Sequence, residues 1–121
     1  MRYLCLIYLD EERMDALPAA DMDALNAAHL DLNDELRASG HLVEAEALQP
    51  VGTTATVRVR QGKVSVVDGP YSEAKELVAG FYFIEAQDRE EAIAIAARFP
   101  SAPLGTIEVR EIRKLLVPGR D

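Results

Sequence analysis

Asp68-Gly69-Pro70-Tyr71-Ser72-Glu73-Ala74-Lys75-Glu76 separates two runs that read as strands, Lys63 to Val67 (KVSVV) and Ala79 to Ala86 (AGFYFIEA). An aspartate at a strand end bonds its own turn amides, glycine relieves the backbone and proline fixes the exit, so the first three residues redirect the chain. A turn does not require the charges that follow, Glu73, Lys75 and Glu76. They read either as a solvated surface or as groups that face a ligand.

Upstream, Thr54 to Arg60 (TATVRVR) joins Lys63 to Val67 through only Gln61-Gly62, the length of a tight antiparallel hairpin in which glycine takes positive φ. Leu42 to Gln49 alternates as a strand with one polar-edged face and ends at Pro50 and Gly52. Arg2 to Leu9 (RYLCLIYL) is apolar at nearly every position, which predicts a central strand buried on both faces. Asp10 to Ala20, with charges and Pro18 followed by two alanines, reads as a connection. From about Asp21 to Ser39, Met22, Leu25, Leu32 and Leu36 recur at helical spacing, with Asp21 as N-cap and Gly40 as terminator. Downstream, Asp88 to Phe99 reads as a second helix with Asp88 capping, Glu91 completing a capping box and Pro100 stopping it. After Pro103-Leu104-Gly105, Thr106 to Ile112 alternates as a last strand, and Lys114 to Asp121 is a tail.

The order β, α, β, inserted hairpin, β, α, β predicts an α+β fold of the ferredoxin-like split βαβ plan. Both helices then cover one face of the sheet. The strands are apolar on both sides, and a monomer rarely exposes so large a patch, so the second face predicts a homodimer with two sheets closed against each other.

A chain of 121 residues with apolar residues spread along its whole length reads as a single domain, 1–121. Its apolar runs are far shorter than the roughly 20 residues a membrane span needs, and the N-terminus turns acidic where a signal peptide would continue, so a soluble cytoplasmic protein is expected. A formal charge of −8 repels nucleic acid and anionic membrane. Cys5, the one cysteine, sits within an apolar strand and reads as a small buried hydrophobe. His29, His41, Asp31 and Asp34 lack tight metal-ligand spacing, and no dinucleotide, phosphate or serine-nucleophile motif occurs, so neither a metal nor a cofactor is expected.

The Asp-Gly-Pro stretch, followed by Gly80-Phe81-Tyr82, resembles the YCII-related, or DGPF-domain, family of bacterial proteins. In that family the motif typically reads D-G-P-F-A-E-T-K-E; Tyr71, Ser72 and Ala74 depart from it and the other six positions match. The likeness extends to the first strand, the helix with its Ala27-Ala28-His29, the Thr56-Val57-Arg58-Val59-Arg60 strand and the last strand. It implies a dimeric α+β barrel, similar in fold to muconolactone isomerase, and some relatives are joined to sigma-factor sequences. It also implies a histidine–aspartate site, which by motif falls on His29 and Asp68.

His29 continues the stripe of Leu25 and Leu32, which puts an imidazole on the helix face that packs on the sheet. Such a histidine is either a satisfied core residue or, paired with Asp68, an oriented base that titrates near neutral pH. On the second reading His29 moves a proton on a small organic molecule, isomerising or hydrolysing it, and Asp68 sets its tautomer. Lys75 or Arg58 binds a substrate carboxylate, with Tyr71 and Tyr82 as further substrate contacts. The rival reading is a non-catalytic ligand-sensing or interaction module with a sigma-factor-like partner. A His29 that faces a cavity along with Asp68 supports the enzyme, and one that is bonded only to backbone with no cavity beside it deprives the enzyme of its base.

Overall fold

The computed structural model describes residues 1–120. Three helices and six strands follow one another as β1 (Arg2–Leu9), α1 (Glu11–Asp15), α2 (Ala19–Ala38), β2 (Leu42–Ala47), β3 (Ala55–Arg60), β4 (Lys63–Asp68), β5 (Leu77–Glu85), α3 (Arg89–Ala96) and β6 (Thr106–Glu111). Four strands form one antiparallel sheet in the order β2-β5-β1-β6, while β3 and β4 pair only with each other. This is the α+β, split βαβ plan with its inserted hairpin.

Alternation along β1 and β5 divides the sheet into two faces. Tyr3, Cys5, Ile7, Tyr82 and Ile84 point toward the helices and are buried with Leu32 and Leu36 of α2 and Ala92, Ile95 and Ala96 of α3. Leu36 and Ile84 are fully buried, and each such side chain contributes about 1.5–3 kcal/mol. Leu4, Leu6, Tyr8, Phe81 and Phe83 lie on the opposite face and are only half-buried, because no element of the chain covers them completely. Cys5 is fully buried, and burial pushes its thiol up to about 11.

Several boundaries depart from expectation for identifiable reasons. The Asp10 to Ala20 connection contains a one-turn helix, α1, because the Asp10 carboxylate accepts from the Glu12 amide at 3.1 Å and closes that turn. Helix α2 begins at Ala19, with Pro18 (φ −56°) as N-cap, so Asp21 lies within its first turn. In β2 an irregularity between Leu42 and Glu44 breaks the strict alternation, so Leu42 and Ala45, three apart, both pack against the core. Asp88 caps α3 through the Glu91 amide at 2.9 Å, as expected, but the helix ends at Ala96.

The hairpin turn uses positive φ at both Gln61 (52°) and Gly62 (75°), as a two-residue connection of this hand requires. Gly80 is required for another reason. A Cβ there would stand 2.8 Å from the Glu46 carbonyl oxygen, so only glycine lets β5 approach β2 at that point.

Candidate functional site

Between α2 and the sheet lies a cavity of about 650 Å³, within the size range of small-molecule sites. Helix α2 supplies one wall through Met22, Leu25, Asn26, His29 and Asn33, which recur every three or four residues and so share one face. Ile7, Ala45, Gly80 and Tyr82 of the sheet make the other. Glu11, Met14 and Asp15 of α1, Glu46 at the end of β2, whose side chain shares the opposite face with Phe81, and the Leu48 to Pro50 segment complete the lining.

Helix α1 is positioned there by three contacts. The Glu11 carboxylate accepts from the Val51 amide at 2.6 Å, and the Arg13 guanidinium donates to the Leu104 carbonyl at 2.8 Å. The Lys75 ammonium lies 3.7 Å from the Asp10 carboxylate, an exposed pair that contributes little stability.

Inside the cavity His29 Nδ1 is 2.8 Å from the Tyr82 hydroxyl. Tyr82 is buried and stacked on Phe99 with ring centroids 4.1 Å apart, so the phenol is held rigidly beneath the imidazole. Burial lowers the His29 pKa below its ordinary 6.5 and raises that of Tyr82 to about 12, so at neutral pH both rings favour their uncharged forms. The contact has two forms: either Nδ1–H donates to the phenol oxygen and Nε2 keeps its lone pair, or Tyr82 donates to Nδ1 and Nε2 carries the proton; Nε2 has no protein partner among the described residues.

Two further polar groups belong to this cavity. Asn33 lies one helical turn beyond His29, and Ser101 lies just past α3; Asn33 Oδ1 and Ser101 Oγ are buried without a hydrogen-bond partner among the described residues. Such an atom costs about 1–3 kcal/mol when left unpaired. The i, i+4 relation to His29 was a signal for Asn33 in the sequence. No comparable signal marks Ser101, because its burial depends on where the chain turns after Pro100.

The other candidates lie elsewhere. Asp68 ends β4, exposed, and does not line the cavity. Its carboxylate forms no turn hydrogen bond; instead Gly69, at φ 110°, donates to the Thr54 carbonyl and accepts from the Thr56 hydroxyl. The Arg58 guanidinium lies over the Tyr71 ring, 5.3 Å from its centroid. Thus the structure joins His29 to Tyr82, Arg58 to Tyr71 and Lys75 to Asp10, and within one chain it does not join Asp68 to His29.

His41 has a different setting. Its Nδ1 is 2.7 Å from the Ser39 hydroxyl and its Nε2 is 3.2 Å from the Glu91 carboxylate, so it links the end of α2 to the start of α3.

Together these features define a class: a small α+β domain with a helix–sheet cavity that presents an oriented imidazole. The chain belongs to the YCII-related domain family, whose model matches residues 1–116. It is also similar to an uncharacterized protein of Rhizobium meliloti (strain 1021), 31% identical over 128 residues that span 98% of this chain and 97% of that protein. No helix among the described residues is long and apolar enough to cross a membrane.

Proposed function

We propose that the protein is a cytoplasmic homodimer that binds a small organic molecule between α2 and the sheet and transfers a proton on it. His29 is the base and Tyr82 holds its tautomer. The observation that carries this reading is the 2.8 Å contact between His29 Nδ1 and the Tyr82 hydroxyl inside a largely apolar cavity. With Nδ1–H donating to the Tyr82 oxygen, the uncharged imidazole keeps the Nε2 lone pair free toward a ligand, which is the geometry of a general base. Removing a proton beside a carbonyl gives isomerase-like chemistry, and activating a water gives hydrolase-like chemistry. Tyr82 takes the orienting part that the sequence offered to Asp68, whose arm projects from the body of the chain.

The neutral dye N-phenyl-1-naphthylamine tests the cavity. Its fluorescence rises with the wild-type protein and with His29→Gln, and Leu25→Trp, which fills the space, abolishes the rise. Exchange of the α-protons of cyclohexanone in heavy water, followed by proton NMR, tests the base. The wild-type protein accelerates it and His29→Gln does not; equal rates in the two proteins remove His29 from the chemistry.

A second reading, a non-catalytic interaction module, is favoured by the hairpin, where Val57, Val59, Val64 and Val66 are 55–67% exposed on one face. Dye binding without proton exchange supports it.

A further inference from the structure

We propose that the ligand of this cavity is a neutral or cationic amphiphile, an apolar body with a hydroxyl or amine head, and not a carboxylate or phosphate. The inference rests on the reading of the cavity as a ligand site and names the chemistry that site selects.

Two carboxylates, Glu11 and Asp15 of α1, line the cavity, and among the described residues no lysine or arginine does. The cations that the sequence offered as carboxylate clamps are engaged outside it, Arg58 over Tyr71 and Lys75 beside Asp10. An anionic head entering here would meet like charge with no counter-ion, which counts against it.

The interior makes the complementary demand. Ser101 is 1% exposed, and its Oγ and the Asn33 Oδ1 are unpartnered among the described residues. Those two atoms are sealed from solvent, and the polar group that lines the cavity with a free position is His29, whose Nε2 accepts in the tautomer that a base requires and so asks for a donor from the ligand. A hydroxyl or ammonium head supplies one, whereas an ionised carboxylate supplies none. The uncharged His29 adds no positive charge that would offset the two carboxylates. Around these groups Ile7, Met22 and Leu25 offer only apolar surface, which fits an alkyl or ring body.

Three eight-carbon probes that differ only in their heads test this at pH 7 by isothermal titration of the full chain: n-octanol, n-octylamine as its ammonium, and octanoate. The alcohol and the ammonium bind, octanoate binds at least tenfold more weakly, and Leu25→Trp removes the binding. In an Asp15→Asn variant the preference for the ammonium over octanol falls. Octanoate binding as tightly as octanol overturns the assignment of ligand class but leaves the cavity as a ligand site. Failure of all three probes to bind overturns the cavity reading together with this one. An unchanged ammonium preference in Asp15→Asn overturns the selection by the α1 carboxylates.

Discussion

His29 has its affinity for protons changed by folding, and the change acts on the stability of the whole protein. Its folded pKa lies below 6.5 because burial penalises the charged ring. Above pH 6.5 neither folded nor unfolded chain holds that proton, and the full contribution to stability is present. As the pH falls through 6.5 the unfolded chain takes up a proton that the folded chain refuses, so stability is lost until the folded value is reached. Urea-unfolding free energies measured at pH 7.5 and 5.5 are expected to fall toward acid by less in His29→Gln than in the wild type. The difference is bounded by about 1.4 kcal/mol per pH unit for one proton. Equal falls in the two proteins would show that the imidazole is solvated. The histidine could be located from helical spacing alone, since spacing decides which face a side chain takes. The vacant partners of Asn33 and Ser101 were hidden, because a lone polar atom is defined by what surrounds it in space.

The elements were legible wherever a local pattern decides the outcome. A continuous apolar run gave β1, an aromatic-rich run β5 and alternation β2 and β6, while Asp88 gave the start of α3 and Gln61-Gly62 the hairpin. Helix α1 escaped because five residues carry too little periodicity to be seen, and its formation rests on one cap and on contacts to Val51 and Leu104. The change of face in β2 escaped because an irregular residue has no signature apart from the pairing it disturbs. At this scale Gly80 offers the sharpest test. Gly80→Ala drives a methyl group against the backbone of Glu46, which has no rotamer to yield. The expected cost is about 1–3 kcal/mol, typical of overpacking. Amide exchange should quicken along β2 more than along β6, and uniform exchange across the sheet would show that the strand simply moves aside.

For the molecule as a whole, the uncovered face of the sheet is the dominant feature. Leu4, Leu6, Phe81 and Phe83 form an apolar centre, with Arg2 beside Glu85 at one end and Glu108 beside Arg110 along β6. A patch with mixed charge at its border can meet its own copy around a two-fold axis. A Leu6→Glu variant is therefore expected to sediment as a monomer at micromolar concentration while the wild type sediments as a dimer. A variant that still sediments as a dimer would place the contact elsewhere, with the valine-faced hairpin the next surface to alter. Beneath that face, at the middle of β1, lies Cys5, fully buried and the sole thiol of the chain. A sulfhydryl reagent can reach it only when the central strand parts from its neighbours, so its labelling rate is a clock for the rare excursions of the entire fold, read without introducing any residue that the chain lacks.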